Sequence, residues 1–466
     1  MNIRVPDELN RLAHIFYSNN EKLYIVGGFV RNQIMGFPDK YNIDIDVCSS
    51  AKPEKIISML KDTEFSVRYM NEDVGVLEIK GNIRVEHATF RREKYALPGV
   101  HLPNNVEFVD NLEIDALRRD FRCNAIYYDI INQEIIDPLD GIKDIEKKII
   151  RTTEEPKIVF ANDAERILRM VRFAVTLGFK IDNETYNEAK NNVFKLKYIS
   201  NFRKREEFSK IVTADTKYDF LTDIKYAHAR GLVFLDDLDA IKYILPVLSD
   251  IKNSGLKADK NKTLYEHIIN VFALSDKEVR LSALLHDVGK AKAKMEYGNF
   301  AGASELASVI IEKNLGSEGL GFSKKITERV KNVVFCADFN KFGIESAKNI
   351  KRFIIENKEN LWLIIKLQNA IRLEKSNLKR KSIRANRLNK IYEDMINKGT
   401  PMSVSDLKIK GDVLITKIKN IRVNKISQLL KELLYKCVDW PAYNNQEDLL
   451  RLANKIVSKN KEEYLY

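Results

Sequence analysis

The feature that most limits what this chain can fold into is Leu23-Tyr24-Ile25-Val26-Gly27-Gly28-Phe29-Val30-Arg31, followed by Asn42-Ile43-Asp44-Ile45-Asp46-Val47. Apolar residues of strand character stop at a glycine pair. An amphipathic run follows (Val30, Ile34, Met35), and a second strand then carries two aspartates in alternate positions. Glycines at a strand-to-helix turn let the backbone approach a phosphate, and the helix N-terminus behind them favours anions. Arg31, one turn in, can reach the same anion with a forked donor. Residues i and i+2 of a strand point to one side, so Asp44 and Asp46 project together. Two such carboxylates repel unless a cation sits between them, and Mg2+ held by a few carboxylates plus substrate phosphates is the usual answer. Either motif alone is explained by a turn or a solvated strand end. Together and in this order they point to phosphoryl or nucleotidyl transfer.

At 466 residues the chain exceeds one hydrophobic core, so about two to four domains are expected. Apolar and charged fractions of 44% and 31% are those of a globular protein. No apolar run approaches the ~18 residues of a membrane span, and the N-terminal residues do not read as a signal peptide. Cys48, Cys123, Cys336 and Cys437 form no CxxC pair and no zinc pattern, which fits thiols packed as small hydrophobes in a reducing cytoplasm. The net charge of +12 fits a polyanionic partner, and equally a lysine-rich surface.

Taken in order, residues 1–22 read as an amphipathic helix, and Pro53 opens another. Residues 74–90 read as a hairpin turning at Gly81-Asn82, which places Glu86 on a strand able to pair beside the aspartates and supply a third carboxylate. An exposed strand glutamate is the alternative. Residues 92–109 look like loop, and Ile136-Asp137-Pro138-Leu139-Asp140-Gly141 like an Asp-Pro turn. Strand signals fade from about residue 143. The first third is therefore α+β and the rest all-α.

A helix expected over 161–178 carries Asp163, Arg166, Arg169 and Arg172, each three apart, opposite an apolar face of Ile167, Leu168, Met170, Val171, Ala174 and Val175. A salt-bridged surface ridge is one reading. The other has sharper chemistry. Aspartate accepts hydrogen bonds and arginine donates them. The Watson–Crick edges of cytosine and adenine both present an amino donor beside a bare ring nitrogen, whereas uracil and guanine present a carbonyl beside a ring N–H. An Asp163/Arg166 pair facing that edge accepts C and A and leaves buried polar groups unpaired against U and G.

Gly27-Gly28-Phe29-Val30-Arg31, Asp44-Ile45-Asp46, Arg118-Arg119-Asp120-Phe121 with Asn124-Ala125, Ile136-Asp137-Pro138-Leu139-Asp140-Gly141, and Asp163-Ala164-Glu165-Arg166-Ile167-Leu168-Arg169-Met170-Val171-Arg172 resemble, in sequence and order, the motifs of class II tRNA nucleotidyltransferases, the CCA-adding enzymes, in a superfamily shared with bacterial poly(A) polymerases. The resemblance covers roughly residues 20–215. It implies a polymerase-β-like head of mixed sheet and helices over 1–142, a nucleotide-selecting helical neck over 143–220, a helical body over 221–370 and a tRNA-gripping helical tail over 371–466. It further implies that Asp44 and Asp46 hold Mg2+, with Glu86 near the attacking end. Gly27, Gly28, Arg31 and Arg119 would hold the nucleotide, Asp163 and Arg166 would read the base, and Arg169 and Arg172 would complete the pocket. The implied partners are tRNA, CTP and ATP in the cytoplasm. The chain departs from the family at Asn32, where an Asp is usual, and at Arg122, where a Thr is usual. The loop tip Ala96-Leu97-Pro98-Gly99-Val100-His101-Leu102-Pro103 is uncharged, which leaves a CC-adding specialist as an alternative to full CCA addition. Of the neck pattern, Ser200, Arg203 and Glu207 are kept.

Further on, His267 and Leu284-Leu285-His286-Asp287 resemble HD-type metallophosphohydrolases, in which imidazole and carboxylate bind a divalent metal. Where active members supply further histidines, this chain has Ala303 and Ala337. His267, His286 and Asp287 are therefore expected to be a degenerate site with a structural role, with a phosphohydrolase as the rival from another enzyme class. A poly(A) polymerase and a non-catalytic tRNA-binding protein are the remaining rivals. The run from Lys375 to Lys390 has seven basic residues and no acidic one. Lys379, Arg380, Lys381, Arg384 and Arg387 on it are candidate contacts to RNA phosphates. Trp362 and Trp440 lie in apolar context and are expected in the core.

Overall fold

The structure is a computed structural model and describes residues 3–41, 44–95, 103–221, 224–344, 346–375 and 383–466. The chain divides into two compact units, Met1–Ser249 with Ser317–Gly321, and Asp250–Gly316 with Phe322–Tyr466. The first holds every described sheet, and the second is helical apart from two isolated bridges. Among the described residues no helix is long and apolar enough to cross a membrane.

The first unit opens with helix α1 (Asp7–Ser18), which buries Leu9, Leu12, Ala13 and Phe16 along one face. Strand β1 (Tyr24–Val26) is buried along its whole length and ends at Gly27, from which helix α2 (Gly28–Ile34) departs. Gly27 has φ +80°, a backbone state that side chains rarely adopt, so the sharp exit from the sheet needs glycine. Then follow β2 (Asp46–Ser49), α3 (Pro53–Leu60) with proline in its first turn, β3 (Ser66–Asn71), β4 (Val76–Lys80) and β5 (Arg84–Thr89). The hairpin expected over 74–90 is β4–β5.

Residues 92–109, expected as loop, instead form a two-stranded antiparallel ribbon of β6 (Arg91–Lys94) and β7 (Asn105–Phe108). Arg91 to Lys94 are all polar, so burial periodicity gave no strand signal there. The expected uncharged loop tip, 96–103, lies outside the described residues except for Pro103. Helix α4 (Leu112–Leu117), β8 (Tyr127–Asp129) and β9 (Glu134–Ile136) complete the set. The main sheet runs β3-β4-β5-β2-β1-β8-β9, antiparallel except where β2 lies parallel to β5. Its centre is backed by the rings of Tyr24, Phe90 and Tyr127, with centroids 5.8–6.4 Å apart.

The Asp-Pro turn becomes a helix start. Asp137 accepts from the N–H groups of Gly141 and Ile142 (2.7 and 2.9 Å) and so caps α5 (Gly141–Glu146). The single helix expected over 161–178 is two, α6 (Pro156–Asn162) and α7 (Glu165–Leu177), because Asp163 between them is extended (φ −143°, ψ 106°). Its carboxylate takes the Glu165 N–H at 2.9 Å, the kind of local bond that lets aspartate compete with helix continuation. The apolar face of α7 is buried as expected, and the helix ends at Gly178 with φ +71°. Helices α8 (Asn183–Asn192), α9 (Asn201–Val212) and α10 (Ala227–Asp237) follow.

In the second unit Leu264–Ala273 begins with a Thr263/Glu266 capping box. Helices Val288–Tyr297, Ala303–Leu315, Lys324–Ala337 and Leu361–Lys375 lie around it. Trp362 and Trp440 are not core residues but 59% and 66% exposed. Each sits at the edge of an apolar run, where neighbouring composition does not fix which way one side chain faces.

His87 on β5 is fully buried, bonded through Nε2 to Ser49 Oγ (2.8 Å), with its Nδ1 unpartnered. Burial pushes its pKa down from 6.5 to about 3. The unfolded chain therefore binds a proton that the folded chain refuses, and this group costs stability as pH falls from about 6.5 toward 3. His87→Leu is expected to flatten the fall of Tm in that window relative to the wild type. Melting curves at half-unit steps of pH check it; parallel Tm profiles for the two proteins would count against a neutral, buried His87.

Candidate active site

The sheet register gathers the acids. Asp46 is the first residue of β2, paired to Val26 on one side and to Glu86 on the other. Asp44 precedes the strand rather than lying on it, yet it and Asp46 are exposed while Ile45 and Val47 are buried, so the alternation expected of a strand persists. The Glu86 carboxylate is thus the immediate neighbour of Asp46. A Cβ placed on Gly27 would lie 3.5 Å from Asp46 Oδ2, which measures how closely the glycine turn approaches this acid. Although the side chain reaches solvent, the protein crowded around its carboxylate strips part of its hydration and raises the pKa of Asp46; Arg119 eases it and Asp44 raises it further. Burial and then the charge of Asp46 raise that of Glu86. Acids that oppose each other's ionisation at a site open to solvent are a donor set for a hard divalent cation, so the residues present fit Mg2+.

The positive side of the site is a braced set of arginines. Arg31, buried at the start of α2, donates to Asn32 Oδ1 from Nη2 (2.9 Å) and Nε (3.2 Å), and to Asn124 Oδ1. Its guanidinium lies 5.4 Å from the Phe173 ring centroid. Asn32 thus keeps the acceptor role of the family's aspartate without its charge, and its amide donates to Tyr218 Oη at 3.2 Å. Arg119 donates from Nη2 to Asp115 Oδ2 (3.0 Å) and from Nε to Tyr127 Oη (3.0 Å). Arg118 is held by Asp115 Oδ1 (2.6 Å) and by Glu93 (3.5 Å). Burial alone would raise the pKa of Asp115; Arg118 and Arg119 outweigh it and hold the carboxyl at about 2.

Asp163 and Arg166 are both buried, with Oδ2 and Nε 4.0 Å apart. Arg166 Nη2 donates to the Arg118 carbonyl (2.6 Å) and Nη1 to that of Arg119 (3.5 Å), so Arg166 is fastened to the backbone that carries those two arginines. Arg169 and Arg172 point at acids of their own: Arg169 at Asp120 (2.8 Å from Nε), Arg172 at Glu207 (2.6 Å). Removing one partner of so buried a pair as Arg172–Glu207 costs about 3–5 kcal/mol. Both arginines act first as braces of the ridge. Ser200 caps α9 as its place in the neck pattern suggests, and Arg203 pairs with Glu165 at 2.9 Å. Asp115, Glu93 and Tyr127 escaped the sequence reading. The signal for Asp115 was there, an acid three and four residues before two arginines on a short helix.

The helical unit holds a second cluster. His267, His286 and Asp287 each place a ligand atom within 4.8 Å of the others. His267 Nδ1 donates to Glu374 (2.7 Å) and His286 Nδ1 to the Ala283 carbonyl (2.8 Å). The two Nε2 atoms face each other 3.2 Å apart, each 3.6–3.7 Å from Asp287 Oδ2. The site opens on a cavity of about 780 Å³ also lined by Asp338, one residue past the Ala337 singled out in the sequence, and by Lys290, Arg372 and Arg384. Of the candidate RNA contacts, Arg384 and Arg387 are exposed on the helix Ile383–Asn397; Lys379, Arg380 and Lys381 lie outside the described residues.

Residues 23–151 match the Poly A polymerase head domain family. The CCA-adding enzyme of Ligilactobacillus salivarius is 32% identical over 282 residues, 59% of this chain and 66% of that protein. That of Lactobacillus helveticus is 36% identical over 189 residues, 40% of this chain and 45% of the relative. The chain thus spans less than two thirds of the length of these two relatives. The crystal structure of the Bacillus stearothermophilus CCA-adding enzyme in complex with CTP aligns over 98% of both chains with a TM-score of 0.70 at 20% identity. The Thermotoga maritima CCA-adding enzyme complexed with tRNA aligns over 98% of this chain and 99% of that one, with a TM-score of 0.55 at 17% identity. At these identities the likeness is one of fold. Sequence carries the assignment further: the CCA-adding enzyme of Staphylococcus saprophyticus is 30% identical over 289 residues, 57% of this chain and 70% of the relative, and by that measure the chain belongs to the CCA-adding enzyme family.

Proposed function

We propose that this protein adds CCA to the 3′ end of tRNA from CTP and ATP, in the cytoplasm, without a nucleic-acid template. The observation that carries the reading is the buried Asp163–Arg166 pair, 4.0 Å apart and tied through the Arg118 and Arg119 carbonyls to the arginines beside the acids. A base selector and a phosphate site built into one braced piece are what side-chain templating requires. The CTP and tRNA complexes of relatives with this fold agree with it.

Asp44 and Asp46 would hold Mg2+, with Glu86 beside them. When bound, the metal supplies an activated 3′-oxygen and charge relief on the leaving pyrophosphate. Gly27 and Gly28 give the triphosphate close backbone approach, Arg31 and Arg119 neutralise it, and Asp163 accepts from the base amino group while Arg166 donates to the bare ring nitrogen. The 3′-hydroxyl of tRNA attacks the α-phosphorus, the bond to the β-phosphate oxygen breaks, and pyrophosphate leaves. The basic run through Lys379, Arg380, Lys381, Arg384 and Arg387 grips RNA phosphates, and the division into head, neck, body and tail follows from the same reading.

The helical cluster supports a second, separate activity. Two imidazole nitrogens and a carboxylate that converge on the wall of a cavity suit a divalent transition ion, and Lys290, paired with Asp287 at 2.8 Å, lines the same cavity. We propose a metal-dependent phosphohydrolase site there. Calorimetry with Mn2+ or Ni2+ is expected to register one site lost in His286→Ala; wild-type heats identical to those of the variant would leave the histidines as a proton-sharing pair.

For the main site, Asp44→Ala or Asp46→Asn is expected to cut incorporation of both labelled C and A by at least about a thousandfold, with tRNA affinity within twofold. Loss of tRNA binding instead would contradict the metal role. Arg166→Ala is expected to reduce the preference for CTP over UTP by about tenfold or more. Unaltered C/A/U/G discrimination in single-nucleotide incorporation assays would rule out the side-chain template.

A further inference from the structure

Asp115 is fully buried on α4, and its two oxygens serve three donors: Arg118 Nε at 2.6 Å, Arg119 Nη2 at 3.0 Å and Tyr127 Oη at 2.8 Å. Tyr127 Oη also accepts from Arg119 Nε at 3.0 Å, closing a ring of hydrogen bonds. Tyr127 stands on β8 opposite Val26 of β1, and Val26 stands opposite Asp46 of β2. One row across the sheet therefore carries both the anchor of Arg119 and the acid Asp46. With Nε and Nη2 occupied, Arg119 keeps its Nη1 edge for an incoming anion. The other oxygen of Asp115 fixes Arg118, whose carbonyl receives Nη2 of Arg166. Asp115 is thus bonded directly to Arg119 and, at one remove through Arg118, to Arg166.

We propose that Asp115 is a positioning residue shared by the two arms of the site: through the Tyr127 bridge it orients Arg119 toward the triphosphate, and through Arg118 it holds Arg166 in register to read the base. This rests on the nucleotidyl-transfer reading above. The division of labour is asymmetric. Tyr127 bonds Asp115 and Arg119 but not Arg118, the carbonyl of Arg118 is the nearer of the two that hold Arg166 (2.6 against 3.5 Å), and Asp115 bonds both arginines. Glu93 adds a second hold on Arg118, from the stem of the β6–β7 ribbon.

The test is single-nucleotide incorporation of CTP and UTP by the full chain into tRNA lacking its last three nucleotides, on three variants. Tyr127→Phe, which keeps the buried ring, is expected to raise KM for CTP about threefold to tenfold with the CTP:UTP ratio of kcat/KM unchanged. Arg118→Lys is expected to lower that ratio about tenfold with KM for CTP within twofold. Asp115→Asn is expected to do both. A purely structural role predicts a lower Tm with KM and ratio at wild-type values in all three, and that result overturns the proposal, as does a changed ratio in Tyr127→Phe. If Asp115→Asn does not fold, the opposite signatures of the other two variants decide. A wild type that uses UTP as readily as CTP would instead overturn the underlying reading; affinity for CTP by calorimetry without tRNA, weakened or not in Tyr127→Phe, would still judge the positioning role.

Discussion

Three carboxylates gathered at the central strands of the main sheet, Asp46 on β2, Glu86 on β5 and Asp44 just before β2, set the terms for the rest of the first unit. The charge of Asp44 works against ionisation of Asp46, and that of Asp46 against ionisation of Glu86, so a fold that places them together must bring positive charge close by. The chain does so with arginine rather than lysine, and almost every arginine is held by a partner of its own: Asn32 and Asn124 for Arg31, Asp115 for Arg118 and Arg119, Asp120 for Arg169, Glu207 for Arg172. A guanidinium offers five donors in a rigid plane, so it can spend some on a buried acid and present the rest to a ligand, which an ammonium point charge cannot do with the same directionality.

That arrangement explains which parts of the site were legible in the sequence. The glycine turn, the aspartate pair and the hairpin bearing Glu86 depend on local geometry, on φ > 0 at Gly27 and on alternation along strands, and local geometry is written in neighbouring residues. The parallel pairing of β2 with β5 is long-range, yet the candidate role for Glu86 followed because the hairpin left only a few strands able to lie beside the aspartates. The apolar face of α7 was equally plain. What stayed hidden was the wiring. Asp115, Glu93 and Tyr127 are separated from their partners by a turn of helix, a ribbon and a strand, and no periodicity says which acid a buried arginine will meet. The break at Asp163 was hidden for a related reason: the arginine spacing continues through it, while the backbone departs from helix to let the aspartate cap the chain that follows.

In the helical unit the sequence suggested a degenerate site, judged by alanines at 303 and 337; in the folded chain His267, His286 and Asp287 converge beside a cavity that Asp338 also lines. The orientation of the two imidazoles comes from the far side of each ring. Glu374 and the Ala283 carbonyl each take an Nδ1 proton, and a ring held at Nδ1 turns its Nε2 to the cluster. Counting ligands along a sequence misses this, because the partners that orient a ring lie elsewhere in the chain.

The two clusters use opposite chemistry. Beside β2 the donors are carboxylates, a set that suits a hard cation able to bind phosphate oxygens as well. In the helical unit two imidazole nitrogens lie beside one carboxylate, all three residues buried, a softer donor set than carboxylates alone. Magnesium has little appetite for imidazole, so the nitrogen-bearing cluster discriminates against it. Selectivity between the sites then needs no barrier between them; it follows from which atoms each one offers.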